Sequence, residues 1–287
     1  MPVRSPSVRP WPFDQQNPRI LIPEGRVQIS PKKSVIVSAF RIARTDVTVG
    51  QMRRFLEETK GVELRAIVQC ISGERRELLA NSGEDMDALY QRATGIFPGV
   101  RKSRIELLEH TLGGVLDFPE NKHGENHPVV KVDWETSRAF CRHYDEGDLL
   151  TACQYLHAAR GKSGKDEYGT PIDRAITWET WGREHRHTAP VCGSEDHRRE
   201  TGWGVTDLAG NVRKWLRDRF DLDFFHRLQD GERDPVNEDP QRPNFRMHGG
   251  TWRGDRNFAR AADWTEGYPW EQYIDGGFRP AWPVDIT

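Results

Sequence analysis

The sequence predicts a single α+β domain, loop-rich, with short strands and two main helices. Apolar residues recur at helical spacing only in the first two thirds of the 287 residues. Beyond Asp218 the chain turns often and is rich in Trp and Gly. Its 10 Trp, 6 Tyr and 12 Phe argue for an ordered core, although 30% of the residues are charged and the mean hydropathy is -0.78.

Taken in chain order, residues 1–30 are proline-rich and aperiodic, and read as an extended arm before a domain spanning 31–287. Ser34 to Ile42 alternates partly (Val35, Val37, Phe40, Ile42) and reads as a strand. Thr45 and Thr48 are candidate N-caps for an amphipathic helix carrying Val49, Met52, Phe55 and Leu56. Residues 60–122 are charged and carry no catalytic pattern, and read as an insert. His127 to Val132 is short and extended, and Trp134 to His143 reads as a helix with Trp134, Ala139 and Phe140 inward. A further helix runs from about Leu150 to Arg160 and stops at Gly161. Residues 161–203 read as loops, and short strands follow Asp218. No repeat of 20–50 residues occurs.

Composition excludes several functions. The formal net charge is -2, from 42 basic and 44 acidic residues, so no nucleic-acid partner is expected. No run of about 18 apolar residues exists, so no membrane span is expected. The start, Met-Pro-Val-Arg-Ser-Pro, lacks the apolar stretch of a classical signal peptide, which places the chain in the cytoplasm or on a phage particle. Cys70, Cys141, Cys153 and Cys192 form no C-x-x-C pair and read as reduced, buried thiols. His185, His187, Cys192 and His197 lack a regular ligand spacing and read as a polar loop rather than a metal site. Asp218, Asp221 and Asp223 lack the alternation and turn glycine of a calcium loop and read as a solvated acidic loop. No catalytic residue, metal or cofactor is therefore expected, with a structural calcium ion left open.

Four stretches line up in order: Thr45 to Gln51 (TDVTVGQ), His127 to Trp134 (HPVVKVDW), Gly204 to Val212 (GVTDLAGNV) with Trp215 and Asp218, and Gly249 to Trp252 (GGTW) closing at Gly277-Phe278-Arg279. Together they resemble the formylglycine-generating-enzyme, or sulfatase-modifying-factor, family over roughly residues 30–282. The resemblance implies a C-type lectin-like fold. It also implies Trp252 and Phe278 inside, with Arg279 paired internally. Oxidase members of that family bind copper through two cysteines just after the Gly-Gly motif, a soft-ligand site. The matching positions here are Gly254 and Ala259. The related iron-dependent sulfoxide synthases use histidines of an additional helical domain, and no H-x-x-x-H-x-E pattern occurs here. Two further departures stand in the scaffold: Leu149-Leu150-Thr151-Ala152 where the family has Leu-Pro-Thr-Glu, and Lys214 where it has Glu before Trp215.

The segment 249–279 is also similar to the variable region of proteins diversified by retroelements on a lectin-type scaffold. Adenine mutation of an AAC codon yields Arg, Gly, Asp, Asn, Phe, Thr, Tyr or Ile, among others. Arg253, Gly254, Asp255, Asn257, Phe258, Asp263, Thr265, Gly267, Tyr273, Ile274 and Asp275 are all such outcomes. Trp264, Glu266, Trp270 and Glu271 need other adenine-containing codons. Aromatics among charged and small polar neighbours have the composition of paratopes, because rigid rings give contact area at low entropic cost. The expected binding surface therefore comprises those fifteen residues with Tyr268, and its partner is a protein or cell-surface ligand. Two alternatives stand beside this. One is a metal-dependent oxidase or sulfoxide synthase with a displaced site at His187, Cys192 and His248. The other is a structural or accessory subunit docking through the insert.

Overall fold

The computed structural model describes residues 9–59, 115–164, 167–168, 170–192 and 199–284. Cys70, His197 and most of the expected insert lie outside them. The insert's C-terminal boundary moves, because residues 115–122 belong to the core. Val115 is fully buried, and the Asn121 side chain donates to the carbonyls of Val115 and Val130, both at 2.8 Å, while accepting from Val130 N at 2.9 Å.

The N-terminal arm is corrected as well. It is neither extended nor free of the domain, since residues 12–17 form turns in which Gln16 N and Asn17 N donate to Phe13 O. Trp11 and Phe13 are buried against Phe140, Tyr144 and Trp282. Strand β1 (Arg19–Ile22) then pairs antiparallel with β4 (Phe40–Ala43). Between them β2 (Gly25–Ser30) and β3 (Lys33–Val37) form a hairpin. The single strand expected from Ser34 to Ile42 is thus two, broken at Ser38 and Ala39.

Among the described residues three helices of eight or more residues follow, one over each stretch that reads as helical, and each start was written in the sequence. For α1 (Val49–Glu58) the cap is Thr48, not Thr45. The Thr48 hydroxyl accepts from Gln51 N and the Gln51 side chain accepts from Thr48 N, a capping box. Helix α2 (Trp134–His143) is capped by Asp133. Helix α3 (Ala152–Ala159) repeats the box with Thr151 and Gln154. Ala152 departs from the family's Glu without loss of that cap.

Two four-stranded sheets organise the rest. One has the order β1, β4, β10 (Pro280–Pro283), β5 (Asp148–Leu149). The other has the order β8 (Trp264–Gly267), β7 (Phe245–His248), β6 (Arg213–Arg219), β9 (Gly276–Phe278), with β6 and β9 parallel. Trp215 on β6 and Phe278 on β9 face each other in register and are both fully buried. Trp134 stacks on Phe245 at 3.9 Å, joining α2 to this sheet.

A buried charge network ties the sheets together. Arg279, fully buried, pairs with Asp46 at 2.8 Å and donates to the carbonyls of Arg44 and Thr206. Lys214, the departure from Glu, is also fully buried. Its ammonium bonds the carbonyls of Asp207 and Gly210 and faces Asp46 Oδ2 at 3.5 Å. A cation surrounded by carbonyls and a carboxylate is satisfied there, which is what a buried charge requires. Of Asp218, Asp221 and Asp223, only Asp223 is exposed as a solvated acidic loop would have it. Asp218 is fully buried and accepts from Ala152 N and Asn237 N, while Asp221 pairs with Arg227 and Arg242.

Candidate ligand-binding surface

Two glycines launch the site. Gly249 and Gly250 have φ of +109° and +65°, and a Cβ on either would lie within 3 Å of the Leu208 carbonyl or of Ala259. Only glycine lets the chain leave β7 so tightly. Trp252 is then buried, its backbone N donating to Asn211 O at 2.9 Å, and clusters with Ile176 and Ala189. Asp255 accepts from Asn257 N at 2.7 Å and so caps a 3-10 turn, Arg256–Ala259. Ala259 and Ala261 point inward, and the buried His248 ring holds the Ala261 carbonyl at 3.1 Å.

Inward and outward positions interleave from here. Arg253, Asp255, Asn257, Phe258, Trp264, Glu266 and Tyr268 are exposed, Phe258 by 70% and Trp264 by 44%. Gly254, Asp263, Thr265, Trp270, Glu271, Tyr273 and Ile274 are half-buried. Gly267 and Asp275 are buried, which corrects their place in the expected surface. A Cβ on Gly267 would sit 2.6 Å from the Trp215 ring and 2.7 Å from the Tyr273 hydroxyl, so packing demands glycine there. Asp275 is drawn inward by Arg213, which bonds its carboxylate at 3.0 Å.

Contacts sort the aromatics into pairs. Tyr268 and Trp270 stack at 4.9 Å, and Trp264 tilts over Phe220 at 4.5 Å with the Arg246 guanidinium beneath. Glu271 accepts from Tyr268 N and from the Tyr273 hydroxyl, which fixes that loop. Ile274 packs with Trp181 on the Trp252 cluster. Exposed Trp178, which the sequence did not single out, donates from its backbone to Gly254 O at 2.9 Å. Among the described residues, two clefts of about 690 and 620 Å³ share Val191 and Cys192, and none of the sixteen residues lines either of these two.

The copper chemistry of the oxidases does not fit these residues. Gly254 carries no donor atom, and the Ala259 methyl is buried against Gly250. The displaced-site candidates are not one constellation either. His248 is fully enclosed beside Tyr155 at 4.9 Å, and burial followed by the charge of Arg246 pushes its pKa down to about 3. Cys192 accepts from the Arg199 guanidinium at 2.8 Å. His187 instead meets His123 and His127, which lie some 60 positions earlier. Neither was read as a candidate ligand, because no sequence spacing reports a contact across that distance.

The family model for a sulfatase-modifying factor enzyme 1-like domain matches residues 7–284. The chain belongs to that family. Three solved structures of the sulfatase-modifying-factor-like fold are similar over 93% of this chain. PvdO from Pseudomonas aeruginosa is 17% identical, with 94% of that chain covered and a TM-score of 0.54. CarF is 15% identical, with 98% covered and a TM-score of 0.56. Treponema denticola variable protein 1 is 16% identical, with 95% covered and a TM-score of 0.55. No curated protein matches the sequence. Among the described residues no helix of this family member is long and apolar enough to cross a membrane.

Proposed function

We propose that this chain is a non-catalytic ligand-binding protein. Its segment 249–279, diversified by a retroelement, displays a variable surface on a sulfatase-modifying-factor-like scaffold. The alternation of burial carries the reading. Of the residues reachable from AAC codons, Arg253, Asp255, Asn257 and Phe258 are exposed, Gly254, Asp263, Thr265, Tyr273 and Ile274 are half-buried, and Gly267 and Asp275 are buried, while the interleaved Trp252, Ala259, Ala261, Pro269 and Phe278 face inward. A segment built this way can change its displayed side chains without disturbing its core. The similarity to a Treponema variable protein supports the same reading. The displayed side chains avoid both clefts, which suits a protein or cell-surface partner better than a small molecule. The location that goes with it is the cytoplasm or a phage particle.

Two measurements test this. The combined variant Phe258→Ser, Trp264→Ser and Tyr268→Ser should melt within a few degrees of the parent chain, whereas Trp252→Ser should cost on the order of 3–5 kcal/mol. A triple variant as unstable as Trp252→Ser makes the surface part of the core and ends the proposal. The coding locus should carry a reverse transcriptase and a template repeat that differs from the 249–279 codons only at template adenines. Differences spread over all four bases remove the diversification. Oxygen consumption on a thiol substrate by the copper-loaded chain would instead favour the oxidase reading.

A further inference from the structure

We propose that His123, His127 and His187 bind a first-row divalent transition ion, such as zinc, where the loop before α2 meets the segment 183–192. The ring centroids of His127 and His187 are 5.6 Å apart, those of His123 and His127 6.0 Å, and those of His123 and His187 4.0 Å. Three imidazoles sharing one tetrahedral zinc, with Zn–N of about 2.0–2.1 Å, stand roughly 5 Å apart between centroids. The two spacings from His127 are close to that value, and the stacked pair of His123 and His187 is about 1 Å tighter and has to open to share an ion. His185 lies 6.0 Å from His187 and is the nearest further imidazole among the described residues.

Hydrogen bonds behind the rings are those of metal ligands. His187 Nδ1 lies 2.6 Å from the Thr188 carbonyl, which can only accept, so that nitrogen carries the proton and Nε2 keeps its lone pair. His127 Nδ1 lies 3.0 Å from the hydroxyl of the same threonine. One residue thus orients two rings, as outer partners orient ligating histidines. The Nε2 edge of His127 faces Gly124, in the loop that carries His123. The backing is rigid: Trp181 donates its indole N–H to His187 O at 2.8 Å, lies against His185 at 3.7 Å and packs on the Trp252 cluster.

Burial, then His187, holds His123 below its ordinary value, and burial followed by His187 and His123 pushes His127 down to about 4. The charged groups facing them are few: Glu120 acts on His123 from the same loop, and Glu125 is engaged by Arg53. As placed, no three donor side chains among the described residues yet converge on one point, since His123 and His187 lie face to face. His123 is exposed, so its torsions are free to swing its ring toward His127 Nε2.

Zinc titration of the untagged full chain, followed by calorimetry and metal analysis after dialysis, tests the site. One zinc per chain is expected, with affinity reduced at least 10-fold by His123→Asn and by His187→Asn. Neither ring is fully buried, so both variants should keep the parent circular dichroism and melting behaviour. His226→Asn, exposed and away from the cluster, should bind as the parent does. Absence of uptake at tens of micromolar zinc, or uptake equal in all four proteins, overturns the site. Neither result bears on whether 249–279 varies.

Discussion

Burial leaves the His248 imidazole with a single carbonyl partner, Ala261 O, and with Arg246 as a charged neighbour. Its pKa in the fold is about 3, against 6.5 for the ordinary group. The unfolded chain therefore takes up a proton below pH 6.5 that the folded chain refuses until about pH 3. Stability from this residue is complete above pH 6.5 and is lost as the pH falls, at up to about 1.4 kcal/mol per unit. His127, at about 4, acts in the same direction over a narrower window. Asp218 acts oppositely: burial raises its pKa to about 6, so its contribution is largest in acid and fades as the pH rises through that value. Asp207 and Asp263 are raised by burial as Asp218 is, and His123 is lowered as the other two histidines are, so the His248 contribution is read as the difference between parent and variant urea curves from pH 6.5 to 4. His248→Gln should change the slope by nearly one proton. A variant curve parallel to the parent's would show that His248 does not titrate as argued. At this scale the family resemblance, carried by short local motifs, placed Arg279 in an internal pair and Trp252 and Phe278 inside, as they are. It did not mark Gly267 or Asp275 as buried, since their burial depends on Trp215 and Arg213, which are distant in sequence.

Helices were the most legible elements, for a local reason. Thr48 with Gln51, and Thr151 with Gln154, are three residues apart, so the capping box is written within one turn. Thr48→Ala should remove the hydroxyl that accepts from Gln51 N and cost about 1 kcal/mol, read as a shift of the urea midpoint at constant slope. Serine at the same position should restore most of the loss. An unchanged midpoint in Thr48→Ala would mean that tertiary contacts alone hold the start of α1. Strands were harder to read. The break between β3 and β4 at Ser38 and Ala39 carries no proline or glycine to announce it. The parallel pairing of β6 with β9 joins residues some 60 apart, and neither strand alternates cleanly, since β9 is buried throughout and β6 nearly so.

Across the whole molecule, a loop-rich chain keeps its shape by pinning non-adjacent segments with aromatic rings. Trp11 shows this most fully. Its ring meets Phe13, Phe140, Tyr144 and Trp282, its indole N–H donates to Asn17 O, and its backbone N donates to Asp145. Asn17 in turn bonds Thr45, just ahead of the Asp46 that pairs with Arg279. The N-terminal segment thus closes over α2 and β10 and reaches the charge network between the sheets. Prolines made it read as an extended arm, because periodicity cannot register single aromatics that bury themselves one at a time. Trp11→Ala should therefore cost about 3–5 kcal/mol, the range for truncating a buried large aromatic. For a domain of this size that corresponds to a fall in melting temperature of roughly 10 °C. The loss should appear as one cooperative transition at lower temperature, since the ring touches both α2 and β10. A two-step melt, or a midpoint within a degree of the parent, would show that the N-terminal segment folds apart from the rest.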